Sequence, residues 1–588
     1  MKQSLLLLAL ILTHSLYAQT LTFSISDYPT LDKQRLGIRG NTPPLAWDQS
    51  IFLDENDQVQ LNFEAGVEFV EYKFVLEDKK GQATWELSSD GNRNLYLKSE
   101  LPDIIEHQWS QQRPIDIENL PLIQPEQLLE DLALFKKAIL EINPASYRYQ
   151  TQADWDSAFR ATERYFASPR TYTEAYLQFS QLVVMVRCGH TLVNQLNQHP
   201  LVKEIVMNQT DKLPFAFVWI DQKMIVTQSA TDTESIQAGT EVLSINGVEV
   251  ADILQNLMPY ASADGANDAK RINKMQLNAI SFAYEEFDSY FPLLYPPEGG
   301  QYELSIRNAD QEEAKTITIE AMSRVERNQI LDDRFAERPS SYEDTWEYRI
   351  IDERVGYLKL GTMVTWRFEM DWQKFLKEAF HEMAEKKIEN LIIDIRGNEG
   401  GSDLVGQELA GYILREKCIV NNLQSRAKID RVPNELKPYI TTWDTSIYDI
   451  SDELTPIEGG FFIYKNDRET FTVPAARKAF AGKVYLLGDA SNSSATYYLR
   501  RSIAQCNAVS IVGTPSGGNL NGINGGTQLI FSLPHSRFEV DIPVVGNFSR
   551  TPQADEGLPV DILIEPSVEA IRAGKDGQLE GLLEMINP

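Results

Sequence analysis

The run Leu391-Ile-Ile-Asp-Ile395 constrains the fold more than any other feature of this sequence. Apolar residues without period-two alternation predict a strand covered on both faces, a position that parallel sheets supply. Lys483 to Leu487 and Ala508 to Gly513 repeat the pattern, with a helix predicted between them at Ala495 to Ala504. Val355 to Leu360 and the helical stretch Asp371 to Lys386 precede it, so residues 345–588 read as an α/β core.

A chain of 588 residues has room for more than that core, about four domains at roughly 150 residues each. Residues 19–110 alternate short apolar runs with turn residues, as a β-sandwich does; Leu36 to Asn41, Val67 to Val75 and Asn94 to Leu97 are the clearest strands. From Gln124 the period turns helical, with Leu128, Leu129, Leu132, Phe135 and Ile139 predicted on one face. Helical patterning continues through Trp155 to Phe166 and Tyr172 to Met185, so residues 120–196 form a helical segment that stops at Arg187-Cys-Gly-His-Thr191. Residues 200–325 return to strands around Ile236 to Val248, where Asn246-Gly247 marks a tight hairpin. Met258 to Tyr295 looks like a helical insertion there. The class is multi-domain α+β.

Residues 1–18 read as a signal peptide: Lys2, an apolar stretch from Leu5 to Thr13, then Ala18 before Gln19. No later run of 18 apolar residues occurs, so no transmembrane segment is expected after cleavage, and an exported protein, periplasmic or secreted, is predicted. The net charge of −30 argues against a nucleic-acid partner, which calls for a basic face. Cys188, Cys418 and Cys506 are too few for a disulfide scaffold or a Cys-rich zinc site, and neither metal nor organic cofactor is expected.

Two loops leaving the buried strands are crowded with small polar residues. In Asp394-Ile-Arg-Gly-Asn-Glu-Gly-Gly401 the glycines let backbone N–H groups approach a ligand, a way to stabilise an oxyanion, although a plain strand-to-helix turn has the same look. In Gly488-Asp-Ala-Ser-Asn-Ser-Ser-Ala495 a serine at a helix start either caps the helix or serves as a nucleophile. A nucleophile needs a base. His190, after a helix and a glycine, is placed to project into a cleft. His107 and His199 lie in linker-like sequence, His381 in a polar helix, and His535 at a hairpin tip. Gly-x-Ser-x-Gly and His-Glu-x-x-His are both absent, which argues against an ordinary α/β-hydrolase and a zincin.

In the order of these pieces, residues 124–588 resemble serine peptidase family 41, the C-terminal-processing and tricorn-core type proteases. The resemblance runs through Gly189-His190-Thr191, a PDZ-like module with Ala238 to Gly247, both loops, Val512 to Gly518, and the tail Asp555-Glu-Gly-Leu-Pro-Val-Asp561. It implies a PDZ-like domain over 200–325 and a crotonase-like protease core over 345–588. It also implies a tail-specific serine endopeptidase acting on a peptide or protein substrate. With no lysine around Ser516 to Gly522, the histidine-base branch is favoured, which makes His190 the base. Ser491 falls on the family's threonine, so Ser493 is the nucleophile, with Ser494 as the alternative register. Thr496 replaces the usual acid, and Gly189 a serine of the tricorn type. The histidine's acid would be Asp555 or Glu556, and the oxyanion donors Ser494 and a glycine of the pair Gly400-Gly401.

Residues 19–110 resemble the starch-binding modules of carbohydrate-binding family 20 through Gly40-Asn-Thr-Pro-Pro-Leu-Ala-Trp47, Glu71 to Phe74, Thr84-Trp-Glu86 and Asn92-Arg93. Trp47 and Trp85 match the sugar-stacking tryptophans, so the module would dock a glycan or a protein. The rival reading is a catalytically inactive pseudopeptidase that binds peptides or glycans.

Overall fold

The computed structural model describes residues 19–29, 34–64, 67, 69–86, 93–97, 104–109, 120–308 and 313–586. The expected signal peptide and Asn92 lie outside them. The chain divides into two compact units, Met1–Leu120 and Pro121–Pro588.

The first unit is built from two sheets. Gln19–Ser26 pairs antiparallel with Gln58–Phe63 and parallel with Ile104–Gln108. Arg35–Gly40 pairs with Ile51–Phe52 and Phe69–Glu77, and the latter also pairs with Ala83–Trp85 and Arg93–Tyr96. Period-two alternation sends Leu21, Phe23 and Ile25 inward against Ile38, Leu61, Phe63, Tyr72 and Phe74. His107 is a core residue on a strand and not part of a linker. It lies 2.8 Å from the Tyr72 hydroxyl and 3.1 Å from Arg93, which is paired with buried Glu86 at 2.6 Å. A buried ion pair persists when its remaining polar atoms are bonded, and His107 meets that need here.

The second unit opens with the helices Pro125–Glu141, Gln152–Tyr165 and Tyr172–Val184, the last two capped by Thr151 and Thr171. Leu128, Leu132, Phe135 and Ile139 are buried as their spacing predicts, whereas Leu129 is 38% exposed. One residue is a 100° step around a helix, and that step carries Leu129 from the buried face to its edge. An antiparallel sheet follows, ordered 315–320, 301–307, 241–245, 223–229, 215–220. Asn246 and Gly247 both take positive φ (49° and 77°), as the predicted hairpin turn requires. The insertion between Val248–Glu249 and Gln301–Arg307 is helical, with Asp268–Lys274 and Glu286–Leu294.

The last part carries a six-stranded sheet ordered 346–352, 355–360, 390–394, 483–488, 510–513, 562–563. Its first pair is antiparallel and the others are parallel. Helices Trp372–Glu385, Asp403–Ile413 and Ser494–Gln505 cover one face, where Leu376, Leu409 and Leu499 meet Leu391, Ile393 and Leu486. Leu579 and Leu582 of Gly577–Ile586 cover the other, against Ile392, Leu487 and Val512. Coverage on both faces explains the unbroken apolar runs. Both polar loops leave carboxyl ends of adjacent parallel strands, where sheets of this kind bind ligands.

Cys418 and Cys506 form a disulfide closing a separation of 88 residues; Cys188 is buried and free. Cys506 is the C-cap of helix Ser494–Gln505, so the bond anchors that helix at the end opposite Ser493. Loop-closure entropy sets its worth at about 2–4 kcal/mol. C418A/C506A is expected to lower stability by that amount in urea unfolding, whereas reductant added to this variant is expected to change nothing further. An unchanged midpoint would show that the bond is energetically silent.

Candidate active site

The two polar loops are bound to each other through buried side chains. Asn492 donates Nδ2 to the carbonyls of Ile395 (2.6 Å) and Asn398 (3.1 Å), while its Oδ1 accepts from Asp489 N (3.0 Å) and Arg500 (3.0 Å). Asn398 donates to Leu360 O (2.7 Å) and accepts from Gly400 N (2.9 Å) and Thr496 Oγ1 (2.7 Å). Thr496 thus clamps the glycine loop through Asn398.

Between these clamps Ser493 is 8% exposed, in extended backbone (φ −132°) at the N-cap position of its helix. Its hydroxyl makes no capping bond and donates to Glu399 O at 3.2 Å. The plain capping role therefore does not hold at Ser493. Ser494 has φ +53°, a left-handed conformation costly for a side chain with Cβ. It turns the chain sharply after Ser493 and begins the helix with an N–H that has no partner among the described residues. Gly400 (φ +117°) packs against it, where a Cβ would lie 2.6 Å from Ser494 Cβ, while Gly401 (φ +135°) packs against Met363, whose C would be 2.2 Å from a Cβ. Of the two expected glycine donors, Gly400 N is taken by Asn398, whereas Gly401 N has no partner among the described residues.

His190 reaches the region on a turn pinned from the helical insertion. Asp264 Oδ1 accepts Gly189 N (3.0 Å), and Ser262 Oγ donates to Thr191 O (3.0 Å). A Cβ on Gly189 would stand 3.2 Å from Asp264 Oδ2, which leaves little space for a side chain there. Gly525 packs on the imidazole, where its Cβ would be 3.3 Å from Nε2. Burial, then the cations of Lys274 and Lys270, push His190 down to about 4, against the opposing pull of Glu399. Burial also lifts Asp264 to about 6 and the Cys188 thiol to about 11.

Ser493 and His190 thus share Glu399 as a neighbour, but the Ser493 proton goes to the Glu399 carbonyl and not to the imidazole. His190 Nδ1 is buried without a partner among the described residues, so neither expected acid is bonded to it. Asp555 instead accepts from Ala266 N (2.9 Å) and Asn519 Nδ2 (2.7 Å), while the Glu556 carbonyl accepts Leu520 N (2.9 Å). Two charged residues of the site carry no expectation from the sequence: Lys270, 129 positions before Glu399 and 221 before Ser491, and Glu399 itself, in a motif that stands out for its glycines.

Residues 354–543 match the model of Peptidase family S41. The chain is 30% identical over 138 residues to the chloroplastic carboxyl-terminal-processing peptidase 2 of Arabidopsis thaliana, and the match spans 24% of each. Two crystal structures are similar in fold. Mature CPAF covers 78% of this chain and 96% of its own at 13% identity and a TM-score of 0.52. Mature CPAF complexed with lactacystin covers 78% and 97% at 14% identity and 0.54. The chain carries a peptidase S41 domain, a hydrolase domain of the serine type.

Proposed function

We propose that the whole chain is an exported serine endopeptidase. Ser493 attacks the scissile carbonyl as His190 takes its proton, and the N–H groups of Ser494 and Gly401 receive the tetrahedral oxyanion. The observation that carries this reading is the Ser493 hydroxyl: it leaves its helix uncapped, and beside it the left-handed Ser494 keeps an N–H without a partner among the described residues. His190, held neutral, is in the form a base requires. Hydrogen bonds of this kind are often long in an empty site and tighten around substrate, so rotation of the Ser493 hydroxyl away from Glu399 is the step substrate must induce.

The antiparallel sheet with its Asn246-Gly247 hairpin supports the reading of 200–325 as PDZ-like, a module that captures extended peptides by strand addition. The parallel sheet with helices on both faces supports a crotonase-like core over 345–588. The disulfide fits an oxidising compartment, periplasmic or extracellular. No helix among the described residues is long and apolar enough to cross a membrane. The test is cleavage of unfolded casein by the purified protein. A protein inert toward casein and toward peptides with varied C-termini would favour the pseudopeptidase.

The first unit supports an accessory docking role. Trp47 and Trp85 lie 6.2 Å apart between ring centroids with their planes tilted by 56°, and Trp85 is 39% exposed, so they form an aromatic pair a sugar face could stack on. Retention of the full chain on insoluble starch is expected, with a loss of roughly tenfold in W47A/W85A. Equal retention of both would assign the pair to packing.

A further inference from the structure

Helix Asp268–Lys274 of the insertion sends a lysine into the gap between the two loops. Lys270 is 2% exposed, and its ammonium donates to Glu399 Oε1 and to Ser491 O (2.9 Å). Glu399 immediately precedes Gly400-Gly401 and supplies the carbonyl that holds the Ser493 hydroxyl. Ser491 stands two residues before the nucleophile and donates its own hydroxyl to Asn273 Oδ1 of the same helix (2.9 Å). One buried cation therefore bonds both halves of the site at points next to the reacting groups.

We propose that Lys270 is a positioning residue for the peptidase reaction, its ammonium locking the nucleophile loop to the oxyanion loop through Ser491 and Glu399. The inference rests on the peptidase reading above. A compact ammonium on a flexible stem can reach two acceptors at this depth, whereas a planar guanidinium would need more space and different angles. The charge has a second effect. The groups that act on His190 are Lys270 and Lys274 from the insertion and Glu399 from the glycine loop. Asp264 lies under its turn, the Cys188 thiol accepts its N–H, and Glu286 pairs with Lys274 behind it. The surrounding protein alone would raise Glu399, but Lys270 and Lys274 hold it at about 2, so the Glu399 carboxylate stays ionised across the working range. Lys270 thus favours the neutral imidazole that accepts a proton, while Glu399 favours the imidazolium formed in the next step.

The test compares K270M, K270R and E399Q with wild type in peptide hydrolysis. In parallel, the His190 imidazole is titrated by NMR on histidine-labelled protein, its signal assigned with H190Q. K270M is expected to lower kcat about 100-fold with KM within about threefold, the cost of a small misplacement of reacting groups. It should also raise the His190 midpoint by about one pH unit. K270R is expected to hold the midpoint near wild type without restoring kcat. E399Q is expected to lower the midpoint, and its urea midpoint is measured alongside because the change removes the charge partner of the buried Lys270. K270M with kcat within threefold of wild type, or with an unmoved midpoint, would overturn the proposal. A wild type that cleaves nothing overturns the peptidase reading, and the titration then decides separately whether Lys270 acts on His190.

Discussion

Replacement of Ser493 by alanine is expected to reduce casein hydrolysis by at least ~10³-fold while leaving the urea midpoint within experimental error of wild type. The size follows from the chemistry, since without the hydroxyl only oxyanion stabilisation and binding remain. Unchanged stability follows from the structure: Ser493 spends its hydroxyl on one bond to Glu399 O and none on capping its helix. Ser494→Ala keeps the N–H that faces the oxyanion and should cost less than about tenfold. Ser494→Gly relieves a left-handed side chain and is expected to stabilise by about 1 kcal/mol. An active-serine probe should label wild type and S494A but not S493A. Full activity in S493A would show that the register is wrong and that the hydroxyl of Ser494 does the work.

What could be read from the sequence and what could not divide along a physical line. Elements whose signal is local were legible. The unbroken run at Leu391 needs cover on both faces, and Asn246-Gly247 needs positive φ twice; both hold. The loops ending at Gly401 and Ser493 follow from strand ends, and the structure sets them side by side through Asn492. Residues whose partners are distant in sequence were not legible. Nothing near Lys270 hints that it bonds Ser491, 221 positions away. His107 looked like linker because its strand partner is Gln19–Ser26 at the other end of the module. The partners of the tail acid are hidden for the same reason: Asp555 finds the N–H of Ala266 and the amide of Asn519, contacts made by folding and invisible in Asp555-Glu556 itself.

His190→Gln is expected to cost about as much as S493A, at least ~10³-fold, because members of one catalytic unit lose the same step. The distinguishing measurement is the acid limb of kcat/KM. A base must be neutral to accept the Ser493 proton, and burial together with Lys274 and Lys270 holds His190 at about 4. Activity should therefore stay near its maximum as pH falls below the ordinary histidine value of 6.5, and reach half near pH 4. The sign for stability follows from the same depression. Between 6.5 and about 4 the unfolded chain binds the proton and the folded chain does not, so His190 makes stability fall as pH drops through that window. Asp264 works the other way. Its carboxyl, lifted by burial to about 6, takes a proton in the folded chain before the unfolded chain does, and stability rises as pH falls from there toward 3.8. The two contributions oppose each other, alongside those of other buried carboxyls such as Glu285 (about 7) and Asp541 (about 6). D264N is expected to unmask the histidine: stability should then decline more steeply below pH 6.5, while the acid limb of kcat/KM stays near 4. An acid limb near 6.5 in the wild type would remove His190, as the structure places it, from the role of base.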